Sequence, residues 1–249
     1  MIKQAIIPLA GLGTRLLPLT SVFAKELLPI NGKPGLEYIL DECIDAGIKE
    51  VIFIISKKKR MIKDYFYNDK FYKKMIKFVY QNSPLGTGDA VLKTKKYIKD
   101  DFFLMLLPDD LILKNNCSKS LIKVHKRYNA SVMASMSVNK NSVSRWGIYK
   151  LGKKVDQKNY FIKGVVEKPS FNSAPSNKAV IGRYILSKEI FLKLSKQKPG
   201  KGSEMHITDA IQSLINENNK FIAHNFSGKY LDCGSMNGYI KSTLEIAKL

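Results

Sequence analysis

Continuous apolar runs alternate with amphipathic stretches along the first half of the chain. The apolar runs predict buried strands over residues 3–9, 51–55, 78–80 and 102–107. Apolar residues at helical spacing predict helices over residues 34–46, 89–98 and 118–128. Strands that alternate with helices favour a parallel sheet flanked by helices, in which ligands bind at the carboxyl ends of the strands.

The character of the chain changes after residue 130, where strands become more frequent. Strands are predicted over residues 131–138, 146–151, 161–167 and 180–186, and helices over residues 188–196, 208–216 and from residue 238 onward. No internal repeat, low-complexity tract or long linker interrupts the pattern. We therefore predict an α/β fold with a Rossmann-like, mixed and mostly parallel central sheet flanked by helices. A more β-rich second half would belong to the same single domain, residues 1–249.

The charge balance is strongly basic. Lysine and arginine together number 42 against 21 acidic residues, a formal net charge of +21, and such a balance can signal an anionic or nucleic-acid partner. Only 5 of the basic residues are arginines, although arginine is the residue best suited to gripping phosphates and base edges. The composition therefore favours a lysine-rich solvated surface, and we expect no nucleic-acid partner. A basic nucleic-acid binder and an anion-attracting field stay open as alternatives.

The apolar runs, the first residues and the cysteines indicate where the protein acts and whether it binds zinc. No apolar run approaches the roughly 18–20 residues that a bilayer span requires, and the first residues lack the features of a signal peptide. We therefore expect a cytoplasmic protein with no membrane partner. Cys43, Cys117 and Cys233 match no zinc-site spacing, so we expect reduced and mostly structural thiols.

A glycine-containing loop follows the first strand and carries the first candidate chemistry. Gly11 and Gly13 let a ligand approach the backbone closely, and Arg15 offers a fixed fork of donors to phosphate. The loop is not a dinucleotide fingerprint, because Leu16 occupies the third glycine position, and no Gly-Lys-Ser/Thr follows to make a Walker A loop. Taken alone, a nucleotide-binding loop and an ordinary strand-to-helix turn explain these residues equally well.

Further motifs make the signal more specific. Lys25 lies in the segment AKELLP, and the combined pattern GxGTRL…KELLP is much more specific than either half. The segments that follow in order are QNSPLGTGDAV (81–91), LLPDD (106–110), GVVEKP (164–169), APSNKAVIGRY (174–184) and LDCG (231–234). With these motifs in this order, the chain resembles the sugar-1-phosphate nucleotidyltransferases. Those enzymes join a nucleoside triphosphate to a sugar 1-phosphate and release pyrophosphate.

The resemblance implies a nucleotidyltransferase fold and a site that cancels the repulsion between two polyanions. It implies that Asp109 and Asp232 hold Mg²⁺, a hard cation that suits a pair of carboxylates and phosphate oxygens. It further implies that Arg15 and Lys25 stabilise the departing pyrophosphate, and that Lys168 grips the phosphate of the sugar. Without the resemblance, Asp109 would be interpreted as a helix cap or turn, and Asp232 as a carboxylate satisfied by backbone.

The resemblance also implies which residues surround the base and the sugar. The nucleotide-binding residues would be Ala10, Gly11, Gly13, Glu26, Gln81 and Gly86. The sugar-binding residues, in the β-rich half, would be Gly147, Glu167, Lys168 and Gly182. The Gln81 amide offers both a donor and an acceptor to the edge of uracil. Ordinary turns stay open as an explanation of Gly147 and Gly182, and a surface ion pair as an explanation of Glu167 with Lys168.

Within the family, the segments PLGTGDAV, VVEKP and APSNKAVIGRY are most similar to the uridylyltransferase branch, whose substrates are UTP and glucose 1-phosphate. We therefore expect a Mg²⁺-dependent uridylyltransferase that needs no general base, because the attacking phosphate is already ionised. A thymidylyltransferase and a non-catalytic nucleotide-sugar-binding protein on the same fold are the alternatives. Trp146 and His206 depart from the family pattern, and residues 58–78 form a short segment compared with it. We expect a homo-oligomer, either a dimer or a tetramer.

Overall fold

A computed structural model describes residues 2–200 and 203–248 of the chain. The strands are β1 (Gln4–Pro8), β2 (Pro29–Ile30), β3 (Lys33–Pro34), β4 (Glu50–Ile55), β5 (Ile76–Tyr80), β6 (Phe102–Leu106), β7 (Asp110–Leu113), β8 (Ser131–Ser137), β9 (Gly147–Lys154), β10 (Asn159–Glu167), β11 (Lys178–Ser187), β12 (Phe221–Asn225) and β13 (Lys229–Asp232). The helices are α1 (Gly35–Asp45), α2 (Arg60–Tyr67), α3 (Lys70–Met75), α4 (Thr87–Leu92), α5 (Cys117–Tyr128), α6 (Ile190–Lys196), α7 (Ile207–Asn216) and α8 (Met236–Ile246). Within the described ranges, no helix is long and apolar enough to cross a membrane.

The first half of the chain builds the parallel part of a nine-stranded sheet ordered β5-β4-β1-β6-β11-β8-β12-β10-β9. β5, β4, β1 and β6 run parallel, and Ile6 of β1 pairs with Ile52 on one side and Met105 on the other. β1 is buried almost throughout, which explains why its sequence is a continuous apolar run. Because parallel strands end at the same edge, the loops after β1 and β6 lie next to each other.

The second half extends the same sheet with mainly antiparallel strands. β11 joins the two halves, since it pairs antiparallel with β6 on one side and with β8 on the other. β12 then pairs parallel with β8, and β10 and β9 complete the edge in antiparallel fashion. A mixed sheet flanked by helices confirms the predicted fold class. Parallel pairs dominate the first half and antiparallel pairs the second. The change in pattern after residue 130 predicts the larger number of strands there but not their direction.

Several individual elements differ from the prediction. The helix predicted over residues 89–98 is α4 and ends at residue 92. From Thr94 the backbone forms turns in which an N–H bonds the carbonyl three residues earlier, as Thr94 does to Val91 at 2.9 Å. The sequence pattern does not predict α2 and α3, which are rich in lysine and aromatic residues and bury only Ile62, Phe66 and Met75. It also does not predict the short strands β2, β3, β7, β12 and β13.

The sheet has an apolar cluster on each face. Alternate residues of β4 enter different clusters: Phe53 packs with Ile7 and Leu36, whereas Ile52 packs with Ile6. This alternation follows from the two-residue period of a strand. It explains why the central strands are apolar at every position.

One ion pair lies inside the core. Arg183 of β11 has no exposed surface, and its Nε and Nη2 donate to the Glu42 carboxylate of α1 over 2.8–3.1 Å. Its guanidinium also donates to the carbonyls of Leu107 and Asp110, at 3.2 and 2.7 Å. Ser118 of α5 donates its backbone N–H and its hydroxyl to Glu42. The pair therefore connects α1, α5 and β11 with the loop that follows β6.

Replacing Glu42 by Gln is expected to lower the free energy of unfolding by about 3–5 kcal/mol, because the buried guanidinium loses its counter-charge. Urea unfolding monitored by circular dichroism would measure the change. Lys119→Ala is the matched control, since it breaks an exposed ion pair between Lys119 and Asp45 of 3.4 Å and should cost less than about 1 kcal/mol. Equal small losses in both variants would contradict a structural role for the buried pair.

Candidate active site

Two cavities open side by side at the carboxyl ends of β1 and β6, and every residue predicted for the site lines one of them. The first, about 450 Å³, is lined by Ala10, Gly11, Gly13, Lys25, Glu26, Gln81, Gly86 and Asp109, among others. The second, about 840 Å³, is lined by Arg15, Asp109, Gly147, Glu167, Lys168, Gly182 and Asp232, among others. Asp109 belongs to both cavities, so they adjoin at its carboxylate.

The loop after β1 forms one wall of the first cavity. Gly13 adopts a left-handed backbone conformation with φ of 72°, which a side chain would strain. Thr20 donates its hydroxyl to the Gly13 carbonyl at 2.9 Å and holds the turn. A Cβ on Gly11 would meet nothing within 4 Å, so this residue faces open space. The loop thus exposes backbone to a ligand.

The Asp109 carboxylate lies between two cations. Its Oδ2 is 2.8 Å from Lys25 Nζ and 3.4 Å from Arg15 Nη2. Burial acts to raise the pKa of Asp109, but the charge and hydrogen bond of Lys25 outweigh burial and hold that pKa below its usual range. Burial acts to lower the pKa of Lys25, and the attraction of Asp109 reverses this, so the pKa is raised. Both groups are therefore charged at neutral pH.

A buried lysine that the sequence analysis did not single out lies behind this pair. Lys59 Nζ donates to both oxygens of Glu26 at 2.8 Å and to the Leu9 carbonyl at 2.7 Å. Burial outweighs the attraction of Glu26 and lowers the pKa of Lys59. Glu26 lines the first cavity, yet its carboxylate binds Lys59, so its contact with a nucleotide stays a prediction. The only sequence signal for Lys59 is the run of basic residues 57–60, which does not distinguish it from its neighbours.

The Gln81 amide is held by two acceptors. Its Nε2 donates to Asp89 Oδ2 at 2.7 Å and to the Gly86 carbonyl at 3.0 Å. Gln81 is 4% and Asp89 7% exposed. Because both amide hydrogens are used within the protein, the amide oxygen is the atom left for a ligand.

The segment that carries Gly86 is clamped against the other half of the chain. Gly88 donates its N–H to the Met205 carbonyl at 2.7 Å, and Met205 donates its N–H to the Leu85 carbonyl at 2.8 Å. A Cβ on Gly86 would lie 2.6 Å from the Met205 carbonyl oxygen, so glycine is required for this close approach. Glu204, next to the clamp, lines both cavities.

The carboxylates predicted to hold the metal converge on one small space. β13 pairs with β7, and Cys233 donates its N–H to the Asp109 carbonyl at 2.8 Å, which brings Asp232 beside Asp109. A Cβ on Gly234 would lie 2.7 Å from Asp109 Oδ2 and 3.2 Å from Asp232 Oδ1. Over residues 2–200 and 203–248, no group of three or more histidine, cysteine or acidic side chains could hold a metal. Two carboxylates that leave room for water and phosphate oxygens fit a magnesium-type ion, which rarely takes an all-protein cage.

The neighbouring carboxylate, Asp110, accepts hydrogen bonds from within the protein. Tyr230 donates its hydroxyl to Oδ1 at 2.6 Å, and Gly182 donates its N–H to Oδ2 at 2.7 Å. Burial, followed by the nearby charge of Asp109, raises the pKa of Asp110 to about 6. A Cβ on Gly182 would lie 2.5 Å from Asp110 Oδ2. Gly182 therefore makes room for Asp110, in addition to the space for sugar that the resemblance implies.

Glu167 and Lys168 lie at the end of β10, in the second cavity. Lys168 has a left-handed backbone with φ of 45° and donates its N–H to the Trp146 carbonyl at 3.0 Å. Its Nζ is 3.8 Å from Glu167 Oε1, and the two side chains are 65% and 52% exposed. The pair is therefore loose, and both charged groups are accessible. A Cβ on Gly147 would lie 3.2 Å from Glu167 Oε2, so glycine keeps the carboxylate open on that side.

Other residues line the cavities without having been predicted. They include Thr14, Arg145, Trp146, Tyr184, Glu204, Thr208 and Tyr230. Arg145 Nη2 is 3.5 Å from Asp232 Oδ2, so the second candidate carboxylate also has a cation beside it. Thr14 could have been found from its place inside the glycine loop. Tyr184 ends the motif APSNKAVIGRY, and Trp146 stands out as a departure from the family pattern. The others come from segments that meet only in the folded chain.

Comparisons with known proteins identify the family of the chain. The sequence model of the nucleotidyl transferase family matches residues 4–248. A UTP–glucose-1-phosphate uridylyltransferase 2 of Streptococcus pyogenes serotype M3 is 38% identical over 271 aligned positions, which cover 99% of this chain and 90% of that relative.

Solved structures resemble the chain over its whole length. A UDP-glucose pyrophosphorylase in complex with UDP-glucose has a TM-score of 0.92 at 36% identity, covering 100% of this chain and 99% of that one. A UTP-bound UGPase from Acinetobacter baumannii has a TM-score of 0.87 at 31% identity, covering 99% and 93%. Since both the family match and these likenesses span almost the entire sequence, the chain belongs to the nucleotidyl transferase family, as its motifs predict.

Proposed function

We propose that this chain transfers the uridylyl group of UTP to the phosphate of glucose 1-phosphate, which forms UDP-glucose and releases pyrophosphate. The observation that carries the proposal is the meeting of two cavities at Asp109, one beside the Gln81 loop and the other beside the EKP segment. The relative from Streptococcus is a uridylyltransferase for the same substrates, and the similar structures hold UDP-glucose and UTP. Full-length likeness to them supports the same activity here.

Each cavity would hold one substrate. UTP would occupy the first, with its base against Gln81 and Gly86 and its phosphates towards Lys25 and towards Arg15, which lines the adjoining second cavity. Glucose 1-phosphate would occupy the second, where Lys168 can pair with the phosphate. A phosphate oxygen of the sugar forms a bond to the α-phosphorus, and the bond to the β-phosphate oxygen breaks, so that pyrophosphate leaves with the electron pair.

Lys25 and Arg15 supply positive charge where the pyrophosphate leaves. Lys25 is charged and held by Asp109 at 2.8 Å before a substrate arrives, so little reorganisation accompanies the reaction. Arg15 is 67% exposed in its side chain and can turn its donors towards a phosphate. The attacking phosphate is already ionised at neutral pH, and the residues need not remove a proton.

Members of this family generally use a divalent metal ion. We propose that the ion here is Mg²⁺ and that Asp109 and Asp232 hold it. When bound, it would neutralise phosphate charge and polarise the phosphorus for attack. Lys25 and Arg145 each contact one of the two carboxylates, which limits the repulsion between them.

We further propose one catalytic domain over residues 1–249 that acts in the cytoplasm. A single sheet built from both halves and a family match over residues 4–248 support one domain. The three cysteines are free thiols, which suits a reducing compartment. The homo-oligomer, a dimer or tetramer, stays a prediction that light scattering would test.

Purified protein is expected to release pyrophosphate from UTP and glucose 1-phosphate in the presence of Mg²⁺, and to use dTTP less well. A coupled pyrophosphate assay with both nucleotides in parallel would measure this, with excess EDTA as the control. Preference for dTTP would make the enzyme a thymidylyltransferase. Binding of UDP-glucose without any turnover would favour a non-catalytic nucleotide-sugar-binding protein.

Asp109→Asn and Asp232→Asn are each expected to lower kcat by about 10³-fold or more, because the metal's charge stabilisation is worth several kcal/mol. Thermal unfolding would check that the variants fold. Asp64→Asn changes an exposed carboxylate on α2 and should leave kcat unchanged. Near-normal turnover with intact metal dependence would remove the altered carboxylate from the metal site.

Lys168→Ala is expected to raise the KM for glucose 1-phosphate by about tenfold or more, the scale of one charge-assisted contact. The KM for UTP should change little, since Lys168 lines only the second cavity. Lys163→Ala, on the exposed side of β10, is the matched control. An equal rise for both substrates would contradict the assignment.

A further inference from the structure

The orientation of the Gln81 amide is enforced by its surroundings. A glutamine amide can rotate by 180° and exchange its donor for its acceptor. Here the nitrogen donates to Asp89 Oδ2 at 2.7 Å and to the Gly86 carbonyl at 3.0 Å. A rotated amide would lose both bonds and place its oxygen against two acceptors. Of the two acceptors, the Asp89 carboxylate carries a full charge and makes the shorter bond.

Asp89 is itself fixed in place. It lies in the first turn of α4 and is 7% exposed. Its other oxygen, Oδ1, lies 3.3 Å from Lys93 Nζ, one helical turn further on. The preceding backbone is clamped to Met205 by the hydrogen bonds of Gly88 and Leu85. The carboxylate therefore has little freedom to withdraw from Gln81.

We infer that Asp89 is a positioning residue that makes Gln81 present only an acceptor to the base, and that this arrangement selects nucleotides with an N3–H. The inference deepens the proposed function and rests on it. Gln81 lines the first cavity with Gly86 and the glycine loop, which is where the base would lie. Uracil carries a hydrogen on N3 and can donate to the amide oxygen, whereas cytosine has a bare N3 that would meet that oxygen as a second acceptor.

Asp89 does not discriminate between UTP and dTTP. Thymine and uracil are identical at N3, so a fixed acceptor favours UTP and dTTP equally over CTP. Discrimination between UTP and dTTP must come from contacts near the methyl group of thymine or near the 2′-hydroxyl that UTP carries and dTTP lacks. A substitution of Asp89 should therefore affect UTP and dTTP alike and spare CTP.

The test compares kcat/KM for UTP, dTTP and CTP, with Mg²⁺ and saturating glucose 1-phosphate. In Asp89→Ala, the values for UTP and dTTP should fall by a similar factor of about ten or more, the scale of one charge-assisted hydrogen bond. The value for CTP should stay constant or rise, because the amide is freer to rotate. The ratio of UTP to CTP use should therefore drop at least about tenfold.

Two further variants isolate the contact. Asp89→Asn keeps an acceptor oxygen for Gln81 and should restore most of the UTP to CTP ratio. Lys93→Ala removes the outer ion pair but leaves the Asp89–Gln81 bond, so it should keep the wild-type ratio. If Asp89→Ala does not fold, Asp89→Ser replaces it, since its hydroxyl is too short to reach the amide.

The outcomes separate the inference from the proposed function. An equal fall for all three nucleotides in the Asp89 variants would mean that Asp89 only stabilises the loop, and would overturn the inference. A wild-type enzyme that uses UTP and CTP equally well would overturn it too. Absence of turnover by the wild type with any nucleotide would instead refute the proposed function.

Discussion

The buried contact between Glu42 and Arg183 organises the region on which the site depends. The guanidinium binds a carboxylate from α1 on one side and the carbonyls of Leu107 and Asp110 on the other. Those two carbonyls flank Asp109, the carboxylate at which the two cavities meet. A charge buried this deeply is costly unless it is paired and hydrogen-bonded, and here both conditions hold. The loop after β6 therefore owes its position to a side chain from β11 and a helix far away in the sequence.

Each candidate metal-binding carboxylate of the site has a cationic side chain beside it. Asp109 has Lys25 and Arg15 beside it, and Asp232 has Arg145. The cations suit phosphates and the carboxylates suit a metal ion, so one small region can serve two polyanionic substrates. The net charge of +21 plays no visible part in this arrangement. Local pairs set the pKa of Asp109 and Lys25, whereas most lysines lie elsewhere on the surface.

Several glycines serve the protein's own close packing as well as space for a ligand. A Cβ on Gly86 would press on the Met205 carbonyl, one on Gly182 on the Asp110 carboxylate, and one on Gly234 on Asp109. For Gly86 and Gly182, the resemblance to the family implies contacts with substrate. The structure adds that the two halves of the chain could not approach each other here with larger residues. The same glycines therefore allow the segments around the site to pack closely and also leave space for a ligand.

The fold class, the family and many of the residues that line the two cavities follow from the sequence alone, because each of these has a local signature. Apolar runs mark the central strands, and each motif keeps its residues together over a few positions. The contacts among those side chains follow only from the folded chain. Asp109 and Asp110 are adjacent in the sequence, yet the folded chain gives them different contacts. Asp109 faces Asp232, whereas Asp110 accepts hydrogen bonds from Tyr230 and Gly182. Folding also pairs Glu26 with Lys59, a lysine that the sequence does not distinguish from its neighbours. Such contacts join segments that are distant along the chain, and they depend on distances of 3 Å or less that no local pattern encodes.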